Sequence, residues 1–212
     1  MEIGQATDYI IEYFARPDSA ILYASQLAKS NNLPDISIQP DEGLFLKFLV
    51  KVCGAVKAVE IGTLGGYSGI WIARGLPHNG RLISIEKEDK HARVARESIE
   101  NAGLSHLVDI KVGNALLLLK TVSSEGPFDF VFIDADKAGY RDYFDWAMMN
   151  IRVGGVIAIH NVFAFGYLLD EMDFSENVQI IRDLNQKIAQ DSRLISTIYP
   201  AGDGMLAALR IK

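Results

Sequence analysis

Residues 59–69 read VEIGTLGGYSG. An apolar run ends in the carboxylate of Glu60 and opens into a glycine-rich turn that holds no lysine or arginine. Gly62, Gly65 and Gly66 allow a tight turn and close backbone approach, and a helix beginning after them would present free N–H groups. Such a strand–turn–helix unit is where an open parallel sheet binds its ligand, beyond the carboxyl ends of its strands. A nucleoside triphosphate loop needs a lysine that this turn lacks, and a dinucleotide loop needs G-x-G-x-x-G where this turn has G-x-x-G-G-x-x-G. Glu60 argues further against phosphate, since a carboxylate at the strand end repels a pyrophosphate and attracts a cation. S-adenosylmethionine, with a sulfonium, an amino group and no phosphate, suits that entrance.

The chain around this unit supports a sheet of the same kind. AVKAVEIG, RLISIEK, VDIKVGN, FDFVFIDAD and GGVIAIHN read as five strands, separated by amphipathic segments such as KEDKHARVARESIENAGL and AGYRDYFDWAMMNIR. That alternation predicts a parallel sheet with helices on both faces. After a helical stretch, SENVQIIRDLNQKIAQD, two apolar runs, RLISTIYP and GMLAALRIK, are joined by AGD, which predicts an antiparallel pair at the end of a mainly parallel sheet. Residues 1–55 read as helical with breaks at ARPDS and SNNLPDISIQPDE, and serve to cover a sheet edge, line a pocket or contact another subunit. At 212 residues the chain is expected to form a single domain over 1–212, with 1–55 as its helical extension.

Composition excludes several classes. Hydrophobic residues make up 49% and charged residues 23%, and no apolar run approaches the ~20 residues of a membrane-spanning helix. The acidic start MEIGQATDYIIEYFARPD lacks the features of a secretory signal, so a cytoplasmic location is expected. A net charge of -6 with no basic cluster argues against nucleic acid. The lone Cys53 cannot form an internal disulfide, and the spacing around it suits a buried helix face.

Further residues at strand ends carry chemistry. Glu86 closes the second strand, where a carboxylate accepts hydrogen bonds from ribose hydroxyls, a feature shared with nicotinamide cofactors. Asn114 and Ala115 follow the third strand, where an amide and a backbone N–H could meet adenine; a helix cap is the competing role for Asn114. The fourth strand delivers Asp134, Asp136 and Lys137 into one loop, and the fifth ends in His160 and Asn161. Asp134, His160 and Asn161 could converge on a divalent metal, with water and substrate oxygens completing its shell. Phe163, Phe165 and Tyr167 are apt for stacking on an aromatic acceptor, or for ordinary loop packing.

EIGTLGGYSG, FIDADKAGY and GGVIAIHN together resemble the class I cation-dependent O-methyltransferases, the family of catechol and caffeoyl-CoA O-methyltransferases, over a stretch from about Gln39 through AGDGMLAALR. The resemblance implies a Rossmann-like, seven-stranded S-adenosylmethionine fold and a homodimer. It implies that Glu60, Gly62, Thr63 and Ser68, with Gly66 and Tyr67 of the same turn, hold the methionine portion, Glu86 the ribose and Ala115 the adenine. It further implies Asp134 and Asp136 on the cofactor side, Asp134 and Asn161 as ligands of Mg2+, Ca2+ or Mn2+, and Lys137 as general base. The family places aspartate where this chain has His160. An imidazole there makes a metal site softer, or else serves as a base itself.

Forming a phenolate from a phenol of pKa near 10 costs about 4 kcal/mol at pH 7, which a metal or a cationic side chain can offset. The leading reading is therefore O-methylation of a small catechol-like acceptor. A metal-independent transferase using His160 and Lys137, a silent adenosyl-cofactor binding protein and a nicotinamide-dependent oxidoreductase stand as alternatives.

Overall fold

A computed structural model describes residues 3–170 and 172–212. Three helices come first: α1 (Ile3–Tyr13), α2 (Ser19–Ser30) and α3 (Pro40–Val52). Their starts follow from local chemistry. Asp18 caps α2 by accepting from the backbone N–H groups of Ala20 and Ile21, and Pro40 opens α3 behind a capping box in which Glu42 reaches back to the N–H of Gln39. Cys53 departs from the sequence reading. It lies just beyond α3 as its C-cap, half-buried, because the helix ends one residue earlier than the apolar spacing suggests.

Alternation then sets in: β1 (Lys57–Ile61), α4 (Tyr67–Gly75), β2 (Arg81–Glu86), α5 (Asp89–Asn101), β3 (Val108–Val112), α6 (Ala115–Val122), β4 (Phe128–Ile133), α7 (Tyr140–Asn150) and β5 (Ile151–His160). The chain closes with α8 (Glu176–Ala189), β6 (Leu194–Tyr199) and β7 (Met205–Arg210). The sheet has seven strands in the order β3-β2-β1-β4-β5-β7-β6, and only β7 runs against the others. All five expected parallel strands and the terminal antiparallel pair are present, with residues 200–204 as the connection between β6 and β7.

The central strands are apolar on both faces, as burial under helices on both sides demands. Successive residues alternate between two cores. Val59, Ile61, Val131, Ile133, Ile157 and Ile159 pack on one side with side chains of α6, α7 and α8. Ala58, Phe130, Phe132 and Ala158 pack on the other with Ile21 of α2, Leu46 and Val50 of α3 and Ile70 of α4. Helices α2 and α3 thus share a core with the sheet. Among the described residues, no helix is long and apolar enough to cross a membrane.

Strand order reverses between β1 and β4, and register fixes what meets there. Ile61 stands beside Ile85 on one side and Ile133 on the other, and Ile133 stands beside Ile159. The next residue along each strand is therefore Glu86, Gly62, Asp134 and His160, side by side along the carboxyl edge.

Candidate active site

A cavity of about 580 Å³ opens over that edge, a size ordinary for small-molecule sites. Its floor is the turn after β1, and glycine is required there. Gly62 has φ +97°, and a Cβ on it would lie 1.9 Å from the carbonyl oxygen of Asp134. The two strand ends are locked by hydrogen bonds from the Gly62 N–H to the Ile85 carbonyl and from the Asp134 N–H to the Ile61 carbonyl, each 2.9 Å.

Glu86 lines the cavity and organises the same turn. One carboxylate oxygen accepts from the N–H groups of Leu64 (2.8 Å) and Thr63 (3.3 Å), and the other accepts from the Glu88 N–H (3.0 Å). His91, a residue outside the sequence-based set, stands 3.6 Å from that second oxygen. Thr63, Tyr67, Ser68, Asn114, Ala115, Asp134 and Asp136 also line the cavity. Asn114 serves as a cap, its side-chain oxygen accepting from the Leu117 N–H at the start of α6.

Two of the expected cofactor residues lie behind the wall. Glu60 is fully buried, its carboxylate held by the hydroxyls of Ser68 and Ser84, and burial raises its pKa to about 7 although both serines pull it down. Gly66 packs against the backbone of Ala95 in α5, so it sets the distance between helices rather than lining the cavity.

The opposite end of the cavity gathers the catalytic candidates. The Lys137 ammonium donates to the Tyr140 hydroxyl (2.5 Å) and to Asn161 Oδ1 (2.9 Å), and lies 4.3 Å above the Tyr140 ring. Burial pushes the Lys137 pKa down, and this outweighs the opposing charges of Asp134, Asp203 and Asp136. Asn161 adopts φ +56°, a conformation asparagine tolerates better than most residues, and this turn aims its amide back at Lys137. Asp136 caps the short 3-10 turn Lys137–Gly139 and accepts from the Tyr143 hydroxyl at 2.9 Å.

His160 is 5% exposed and bridges two carboxylates. Its Nε2 lies 2.8 Å from Glu42 Oε1 and its Nδ1 lies 3.2 Å from Asp134 Oδ2. Burial alone would depress its pKa, but the hydrogen bonds to Asp134 and Glu42 raise it to about 9. Glu42 belongs to α3, 118 positions away in the chain. Sequence reading missed it, and the one signal was an acid at the third position of the capping box in QPDEG. Asp203, from the β6–β7 connection, and the segment 34–39 before α3 are further lining residues without a sequence signal. Of the three aromatic candidates, Phe165 alone lines the cavity, Tyr167 is exposed, and the Phe163 ring packs where a Cβ on Gly204 would sit.

The turn has no cationic side chain to meet a phosphate, and its floor of backbone, hydroxyls and carboxylates fits an adenosyl cofactor of the sulfonium type. Comparison with known proteins agrees. The O-methyltransferase family profile matches residues 18–211. A catechol O-methyltransferase from Niastella koreensis is 42% identical over 200 residues, which cover 93% of this chain and 90% of that protein. Among solved structures, the O-methyltransferase from Bacillus cereus in complex with S-adenosylhomocysteine superposes with TM-score 0.90 at 38% identity, covering 97% of each chain. TomG, an O-methyltransferase from Streptomyces achromogenes solved in complex with S-adenosylmethionine, gives TM-score 0.88 at 35% identity over 100% of both chains. A glycine turn that excludes phosphate, a Rossmann-like sheet with one reversed strand and these matches lead to one conclusion: the chain belongs to the O-methyltransferase family and is an S-adenosylmethionine-dependent O-methyltransferase.

Proposed function

We propose that the enzyme methylates a hydroxyl of a small aromatic acceptor, catechol-like in pattern, held at the Lys137 end of the cavity. The observation that carries this reading is the Lys137–Asn161 pair: a half-buried lysine of lowered pKa, anchored 2.9 Å from an amide oxygen, at the cavity end away from the Glu86 side. The catechol O-methyltransferase among its relatives supports the acceptor class.

On this reading the Gly62–Leu64 turn, Tyr67 and Ser68 hold the methionine portion of the cofactor, Glu86 the ribose, and Asn114 and Ala115 the adenine. Glu60 acts from behind, fixing Ser68 through its hydrogen bond. S-adenosylmethionine supplies an electrophilic methyl group, whose carbon–sulfur bond breaks as the acceptor oxygen bonds to carbon, leaving the electron pair on sulfur. Lys137 in its neutral form takes the hydroxyl proton, and burial, by lowering its pKa, favours that form. The Tyr140 hydroxyl, which donates to the His160 carbonyl oxygen at 3.1 Å, fixes the Lys137 amine in place. Phe165, 69% exposed at the mouth, offers a ring face to an aromatic acceptor.

The divalent metal implied by the resemblance does not fit the donor atoms as arranged, since both His160 nitrogens and Asn161 Oδ1 already have partners. The homodimer expected from the resemblance is supported by exposed Tyr9, Tyr13 and Phe14 near α1 and Phe48 on α3. The single unpaired Cys53 suits the reducing conditions of the cytoplasm. We also read 1–212 as one methyltransferase domain, since α2 and α3 contribute to the core of the sheet.

The test is methyl transfer from labelled S-adenosylmethionine to matched acceptors: a 3,4-dihydroxyphenyl compound, the corresponding monophenol and an aliphatic diol. Transfer to oxygen of the first, in preference to the diol, is expected. Turnover of the diol alone would sink the aromatic assignment.

A further inference from the structure

The residues at the carboxyl ends of β4 and β5 come together, and the atoms through which His160 and Asn161 would ligate are already engaged. Both nitrogens of His160 face carboxylate oxygens, Glu42 Oε1 at 2.8 Å and Asp134 Oδ2 at 3.2 Å. An ionised carboxylate only accepts hydrogen bonds, so each nitrogen donates one, and a ring donating from both has no lone pair left for a metal ion. Asn161 Oδ1 accepts from Lys137 Nζ at 2.9 Å, so the oxygen a metal ion would need is already taken. Among the described residues, no group of three or more His, Cys, Asp or Glu is arranged to hold a metal.

We propose that the Glu42–His160–Asp134 bridge replaces the divalent metal of this site, so that methyl transfer proceeds with metal removed and the acceptor hydroxyl is handled by Lys137 and Asn161 alone. The inference rests on the reading of this cavity end as the acceptor site and adds which side chains of this chain stand where a metal would.

The bridge has a second consequence. Glu42 uses its other carboxylate oxygen, Oε2, to accept from the Gln39 N–H at 2.7 Å. Gln39 ends the segment 34–39 that lines the cavity. One glutamate therefore ties the cavity wall before α3 to the tip of β5, and His160 holds the shape of the acceptor end as well as its charge. Gly202, at φ +54°, leaves room for this glutamate, because a Cβ there would lie 2.4 Å from Glu42 Oε1. Removing the middle member would leave the buried Glu42 carboxylate without its partner, facing a half-buried Asp134.

The experiment uses the full chain, stripped with a chelator and loaded with S-adenosylhomocysteine or S-adenosylmethionine. Mn2+ is titrated by calorimetry, and methyl transfer to a 3,4-dihydroxyphenyl acceptor is timed with and without it. For the wild type, no saturable binding in the micromolar range is expected, and the rate is unchanged by Mn2+. His160→Asp is expected to reverse both readings: Mn2+ should bind with a thermal shift and raise the rate by roughly tenfold or more. Micromolar Mn2+ binding by the wild type, or a roughly tenfold loss of rate on stripping that Mn2+ restores, would overturn the proposal. If His160→Asp does not fold, the wild-type titration still decides. If no acceptor turns over under any condition, the acceptor reading has failed, and the calorimetry tests the bridge independently of it.

Discussion

Glu60 sits in an environment whose energetic effect can be worked out from the structure. Its carboxylate is 0% exposed and held between Ser68 and Ser84. Burial raises its pKa from 4.5 to about 7, against the pull of the two serines and with help from Asp134 and Glu86. A carboxylate whose folded pKa lies above its unfolded value costs stability once it ionises. The folded state is therefore favoured at low pH, and that advantage is lost as pH rises from about 4.5 through about 7. At ~1.4 kcal/mol per unit, the full penalty is about 3 kcal/mol, of which under about 1 kcal/mol has developed by pH 5. Glu60→Gln removes the ionisation and keeps the shape and one acceptor, while a serine hydroxyl can rotate to accept from the new amide. Urea titrations of cofactor-free protein are expected to show the variant gaining about 2 to 3 kcal/mol on the wild type between pH 5 and pH 8. An equal difference at the two pH values would mean that Glu60 titrates like an exposed acid, and the reasoning would be refuted.

Three other outcomes are expected. Gly62→Ala drives a methyl group into the Asp134 carbonyl at a backbone angle alanine resists, so thermal melts should reveal a loss of about 3 kcal/mol or more, with weakened S-adenosylhomocysteine binding by calorimetry. Lys137→Met should lower kcat by about 100-fold to 10,000-fold while cofactor affinity, measured by the same calorimetry, stays nearly unchanged. Phe132→Ala empties a fully buried position between β1 and β5 and should cost about 3–5 kcal/mol in a denaturant midpoint assay, with no new pH dependence.

The fold was legible because central parallel strands are apolar on both faces. FDFVFI and GGVIAIH cannot be mistaken for amphipathic helix, and the glycine turn after VEI marks the first crossover. Much of the site was legible for the same reason: register carries Glu86, Gly62, Asp134 and His160 to one edge once the strands are recognised. What stayed hidden depends on contacts between distant segments. Glu42 reads as an ordinary helix-start acid until α3 folds over the tip of β5. The lowered pKa of Lys137 is a balance between burial and three neighbouring carboxylates, and sequence names the carboxylates without weighing the burial. Glu60 was read as open to the cofactor because nothing in VEIGTLGGYSG reveals that Ser84, from β2, closes over it. Asn114 and Cys53 turned on where a helix begins or ends, the detail that apolar spacing defines least well.

On this reading the acceptor hydroxyl meets Lys137 beside the Glu42–His160–Asp134 bridge, with no metal ion between them. A crystal structure of the protein with S-adenosylhomocysteine and a 3,4-dihydroxyphenyl acceptor, grown with Mn2+ present, tests it most directly. The expected result is an acceptor oxygen within hydrogen-bond distance of Lys137 Nζ, with His160 still joined to Glu42 and Asp134 and no anomalous manganese signal between them. A manganese ion held by Asp134 and Asn161, with His160 swung away from Glu42, would contradict it.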